Sequence, residues 1–146
     1  MSLNILFLNG PNLNLLGERE SDIYGNVSLD SIENKLRDIA KRKNHDLCCF
    51  QSNAEHELVE RVQRAKSDDL KFAIANPAAF THTSIALRDA FLASKLPFVE
   101  VHLSNVHARE PFRRQSYFSD IAEAVICGFG EAGYEFALNL VIKILQ

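Results

Sequence analysis

An arginine and a phenol share one short segment of this chain that is built against helix. From Asn9 the residues run Asn9-Gly10-Pro11-Asn12-Leu13-Asn14-Leu15-Leu16-Gly17-Glu18-Arg19-Glu20, and Tyr24-Gly25 closes the stretch. Its glycines and proline oppose a regular helix. A guanidinium held near a phenol favours the phenolate and turns a poor base into a usable one. An apolar run from Leu3 to Leu8 precedes the segment, so a strand delivers the chain to a polar loop, the place where site residues concentrate.

Two further clusters carry polar chemistry. Asn76-Pro77-Ala78-Ala79-Phe80-Thr81-His82-Thr83-Ser84 places an amide, an imidazole and hydroxyls just before a helix. Thr81, Thr83 and Ser84 fit capping roles, whereas Asn76 and His82 offer neutral hydrogen bonds suited to a polyhydroxylated ligand. Glu100 and His102 alternate onto one face of a strand. A carboxylate holding one imidazole nitrogen raises the protonated fraction, which suits a general acid near neutral pH. A metal site would need three or four convergent, supported ligands, and Glu100, His102 and His107 do not make that case. Arg109-Glu110-Pro111-Phe112-Arg113-Arg114 could hold a small anion or a polyol, or be a solvated loop. Gly128-Phe129-Gly130-Glu131-Ala132-Gly133 matches the dinucleotide fingerprint by letter. That site needs a further strand with an acidic residue about twenty positions on, and Gln146 comes first, so a tight strand-to-helix turn is expected.

The elements that must position these groups alternate between β-rich apolar runs and segments of helical period, the pattern of an α/β parallel sheet covered on both faces. Strands are expected at about Asn4–Leu8, Asp46–Gln51, Phe72–Ala75, Pro97–His102 and Ala124–Gly128. Helices are expected from Ser28 or Asp30, at about Ala54–Lys66 and Ser84–Ser94, and from about Gly133 to Leu145. The first carries an apolar stripe through Leu29, Ile32, Leu36, Ile39 and Ala40. Five strands with intervening helices imply a flavodoxin-like, doubly wound sheet, in which ligands bind beyond the carboxyl ends of the strands. That rule gathers the Asn9–Tyr24 loop, Asn76–His82 and His102–Arg113 around one crevice. It leaves His45 and His56 facing solvent.

The 146 residues suit a single domain with a sizeable core. Cys48, Cys49 and Cys127 lie in strand-like runs and read as buried free thiols in a reducing compartment, which makes the cytoplasm the expected location. No export signal or membrane span is expected. A formal charge of −3 argues against a nucleic-acid partner.

Taken together, these loops closely resemble type II 3-dehydroquinate dehydratase, over essentially the whole chain. The marks are Leu8-Asn9-Gly10-Pro11-Asn12-Leu13-Asn14-Leu15-Leu16-Gly17, Arg19-Glu20 before Tyr24-Gly25, Asn76-Pro77-Ala78-Ala79 before Thr81-His82-Thr83-Ser84, and Val101-His102-Leu103-Ser104-Asn105 leading to Arg109-Glu110-Pro111-Phe112-Arg113. The chain departs from the family at Ser21, where proline is usual and would pre-set the turn. It departs again at Gln115, often histidine, to which no function is attached.

The resemblance implies reversible loss of water from 3-dehydroquinate to 3-dehydroshikimate in the shikimate pathway, through an enolate. It implies Tyr24 as the phenolate base, Arg19 as its activator, Asn12 at the enolate oxygen through an ordered water, and His102 as general acid oriented by Glu100. Asn76 and the backbone amides of Leu103 and Ser104 would hold the carboxylate and reacting region. His82 and Arg113 would hold ring hydroxyls, and Arg109 would anchor a loop. Asp89 would reach a neighbour's site in a homododecamer built of trimers. No cofactor or metal is implied. An imine route is disfavoured because Lys35, Lys41, Lys43, Lys66, Lys71, Lys95 and Lys143 all lie away from strand carboxyl ends. The alternative is a non-catalytic binding or signalling module on the same fold. A receiver domain, however, would want carboxylates where Asn9 and Asn76 stand.

Overall fold

The computed structural model describes residues 3–18 and 26–146. Arg19, Ser21 and Tyr24 therefore lie outside the described residues. Strands β1 (Leu3–Asn9), β2 (His45–Gln51), β3 (Leu70–Asn76), β4 (Phe98–His102) and β5 (Ala124–Cys127) form one sheet in the order β2-β1-β3-β4-β5. All neighbouring pairs are parallel. This is the flavodoxin-like order, with its reversal between β1 and β3.

Helices α1 (Leu29–Arg42), α2 (Glu55–Gln63), α3 (Ile85–Ser94) and α4 (Ala132–Leu145) cover the sheet because the strands are apolar on both faces. On one face Ile5, Phe7, Ile74, Val99 and Val101 pack against Ile32 and Leu36 of α1 and against Tyr134, Leu138 and Val141 of α4. On the other, Leu6, Leu8, Ala73, Ala75 and Phe98 meet Leu58 and Val62 of α2, Leu87 and Phe91 of α3, and Phe118. The hydroxyls of Ser28 and Ser84 accept from Ser31 N and Leu87 N and so cap α1 and α3, satisfying amide protons that a helix start leaves open.

Three expectations change. His45 is not solvent-facing but 5% exposed as the first residue of β2, because the left-handed Asn44 (φ 64°) turns the chain straight from α1 into the strand. The three cysteines are half-buried rather than buried, since β2 and β5 are the edges of the sheet. Burial still pushes the Cys49 thiol up to about 12, with nearby Glu33 adding to the rise, which disfavours its thiolate. Lys71 lies inside β3 rather than before it, with its side chain exposed.

The Gly128–Gly133 run is a strand-to-helix turn, with Gly128 at φ 91° and Gly130 at φ 59°. Gly10 is required for a different reason. A Cβ there would lie 2.3 Å from the Pro77 carbonyl oxygen, while its N–H donates to Asn76 O at 2.8 Å. Gly10→Ala is therefore expected to force β1 and β3 apart where they end and to cost about 1–3 kcal/mol, measurable as a lower urea midpoint.

Candidate active site

The carboxyl ends of β1, β3 and β4 open onto one crevice, lined by Pro11, Asn12, Leu13, Leu16, Asn76, Ala78, Ala79, His82, His102, Leu103, Ser104, Val106, Arg109 and Arg113. The sequence placed the three loops there, and eight of its candidate residues, counting Arg109, line this surface. No lysine does among the described residues. Glu100 lies beneath the crevice, behind His102. Asp89 is exposed on α3, outside the crevice lining of its own chain. His107 is exposed too, and among the described residues no three His, Cys, Asp or Glu side chains converge as metal ligands.

Asn12 stands in a left-handed conformation at φ 70° before the 3-10 turn Leu13–Leu15, a backbone state asparagine tolerates better than most residues. Its N–H donates to Asn53 Oδ1 at 2.9 Å. Gln51 Nε2 donates to Gly10 O and to the same Asn53 oxygen. The last residue of β2 and Asn53 just beyond it thus brace the β1 loop, a role that the sequence reading did not assign.

Asn76 ends β3 and is 3% exposed. Its Oδ1 accepts from Ala78 N at 3.1 Å, an Asx turn that supports Ala78 at φ 54°. Its Nδ2 donates to Tyr134 Oη, and that hydroxyl donates on to Asn9 Oδ1, both at 2.8 Å. The chain of bonds fixes which way the Asn76 amide faces and leaves its second N–H as a donor. Full burial, set against the Asn76 bond, holds the Tyr134 phenol well above its ordinary value, so Tyr134 is a neutral hydrogen-bond relay. It too was missed, because a tyrosine at an apolar helix position reads as packing.

The two histidines are held differently. His82 Nδ1 lies 2.6 Å from the Gln115 carbonyl, which must accept, so Nδ1 carries the proton. Burial lowers the His82 proton affinity, partly countered by that bond and reinforced by His102 and Arg113. The neutral ring then offers Nε2 as an acceptor for a ligand hydroxyl. Gln115 contributes its backbone only, which is why its side-chain type was uninformative.

His102 Nε2 lies 2.5 Å from Glu100 Oε2 in the interior; the pair is 7% and 1% exposed. Burial opposes ionisation of Glu100. Hydrogen bonds from His102, Ser119 and Ser116, with the His102 charge, outweigh it and hold the carboxyl below its ordinary value. A carboxylate on Nε2 leaves Nδ1 as the nitrogen that can exchange a proton with a ligand. Cations complete the wall: Arg109 Nη1 donates to Ser104 Oγ at 3.1 Å, and Arg113 Nε donates to Glu110 Oε1 at 3.0 Å while stacking on Phe112. A neutral acceptor, an amide donor, a carboxylate-backed imidazole and two guanidinium groups suit a small hydroxylated acid.

Comparison with known proteins agrees. The family described as dehydroquinase class II matches residues 3–142. A 3-dehydroquinate dehydratase of Marinobacter nauticus is 61% identical over 139 residues, covering 95% of each chain. One of Pasteurella multocida is 58% identical, covering 97% of this chain and 95% of its own. The crystal structure of type II dehydroquinase from Butyrivibrio crossotus superposes with a TM-score of 0.93 at 38% identity, covering 96% of this chain and 97% of its own. With that likeness running through every strand and loop that builds the crevice, this chain belongs to the class II dehydroquinase family.

Proposed function

We propose that this protein is a hydro-lyase that reversibly dehydrates 3-dehydroquinate to 3-dehydroshikimate, in the shikimate route to chorismate and the aromatic amino acids. The observation that carries the reading is the buried Glu100–His102 pair at the head of a crevice already furnished with Asn12, Asn76, His82 and Arg113. Family membership supplies the substrate.

The reaction starts by removing a proton from the carbon beside a ketone. Tyr24 as phenolate is the proposed base and Arg19 its activator. At a pKa near 10, only about a thousandth of a phenol is ionised at pH 7. Arg19 must therefore favour the phenolate by roughly 3–4 kcal/mol, which lowers that value by two to three units. Negative charge then develops on the ketone oxygen, where Asn12, through a bound water, offers a hydrogen bond.

His102, oriented by Glu100, protonates the departing hydroxyl from Nδ1. Asn76 and the amides of Leu103 and Ser104 hold the carboxylate and reacting region, while His82 and Arg113 hold ring hydroxyls. The neutral His82 suits that task, because its Nε2 accepts from a hydroxyl. No step in this scheme calls on a metal or cofactor. We place the enzyme in the cytoplasm, as one domain acting within a dodecamer of trimers in which Asp89 of one subunit orients His82 and Arg113 of another. Asp89 is exposed on α3 and free to meet such a neighbour. Among the described residues no helix is long and apolar enough to cross a membrane.

Adding 3-dehydroquinate to the purified protein and following conjugated-enone absorbance tests the activity directly; a flat trace overturns it. Tyr24→Phe should abolish turnover while leaving substrate affinity within about tenfold, since the hydroxyl acts mainly in the transition state. Arg19→Ala should slow the reaction at neutral pH and recover in part at higher pH, as Tyr24 ionises unaided; a pH-rate profile reads this. Asp89→Ala should raise KM, and dilution that splits the assembly should do the same, as followed by sedimentation and steady-state kinetics.

A further inference from the structure

The segment after Arg114 has the composition of a plain loop, yet it supplies two of the hydrogen bonds on the buried Glu100. Ser119 Oγ donates to Oε1 at 2.7 Å and Ser116 Oγ donates to Oε2 at 2.9 Å. Phe118, fully buried between them, anchors the segment in the core against Phe91 and Phe98. Tyr117 N donates to Thr81 O, and Arg88 clamps the far end through Tyr117 O and Asp120.

We infer that Ser116 and Ser119 are positioning residues that keep Glu100 a carboxylate behind His102 and thereby set how tightly the pair holds its exchangeable proton. The inference concerns the general acid of the function proposed above and rests on that reading for its catalytic meaning. A carboxylate that is 1% exposed has no water to stabilise it, so its charge depends on donors in the protein. When the pair has released its proton, Glu100 is a lone buried anion and needs those donors most. When His102 is protonated, the imidazolium neutralises part of the charge and they matter less. Removing a hydroxyl therefore makes the pair bind its proton more tightly.

The other charged or titratable groups facing the pair, among the described residues, are His82 at the end of the Ala78–His82 turn, Arg109 and Arg113 in the crevice wall, and Cys127, registered beside His102 on β5. Arg88 on α3 is matched by Asp120. None of them contacts Ser119 Oγ, so its removal leaves their bonds intact.

Ser119 is the position to test. Ser116 Oγ also accepts from Phe118 N and Ser119 N, whereas among the described residues Ser119 Oγ bonds Glu100 alone, and its residue is exposed. The full-length protein with isotope-labelled histidine is titrated by NMR, without substrate, as parent, Ser119→Ala and Ser119→Thr. In Ser119→Ala the His102 ring signals should titrate about one pH unit higher. Ser119→Thr, which keeps the hydroxyl, should follow the parent. The alkaline limb of kcat/KM for 3-dehydroquinate should move upward with the NMR midpoint. An unmoved midpoint in Ser119→Ala, or an equal move in Ser119→Thr, overturns the inference. Absence of turnover in the parent overturns the functional reading instead, and the titration still decides the role of the serine.

Discussion

The contact on which the rest depends is between two backbones: the N–H of Gly10 on the carbonyl of Asn76, at 2.8 Å. It continues the β1–β3 ladder one residue beyond Asn9 and Asn76 and holds together the two loops that leave the sheet at its reversal point. A side chain at position 10 has no room, so the approach is available to glycine alone. Everything polar in the crevice is measured from that junction. Asn12 follows it on one side, Ala78 and His82 on the other, and β4 brings His102 alongside β3.

Beneath the junction the protein accepts a polar interior. Asn9, Tyr134 and Asn76 bond in sequence, and Glu100 takes donors from His102, Ser116 and Ser119. Such clusters carry desolvation costs that an apolar core avoids, and their gain is a single orientation for each group. The two left-handed residues of the crevice, Asn12 and Ala78, are supported in the same way, each by a side-chain carbonyl accepting its backbone N–H. These two left-handed residues and the buried polar chain thus meet at the wall that a ligand would face.

The sequence carried the alternation of strands and helices, because every strand core is apolar and every helix has a packing stripe. It also carried the set of loops that meet, because strand order and carboxyl-end placement follow from the parallel topology. Groups whose role depends on a distant partner were illegible. Tyr134 sits 125 residues from Asn9 and 58 from Asn76, and nothing near it in sequence says that its hydroxyl is spoken for. Ser116 and Ser119 have no helical or strand period. Gln115 acts through a carbonyl that every residue possesses. His45 was misplaced for a smaller reason, a strand that starts one residue sooner than its apolar pattern. The proposed base and its proposed activator, Tyr24 and Arg19, lie outside the described residues and are read from the motif.

Tyr134 belongs to α4, which with α1 covers one face of the sheet. Whenever that helix lifts from the sheet, the carboxamides of Asn9 and Asn76 lose their shared hydroxyl and the ligand-facing amide is free to rotate. Docking of α4 thus fixes the orientation of both carboxamides at the end of the sheet, and any opening of that helix releases them together.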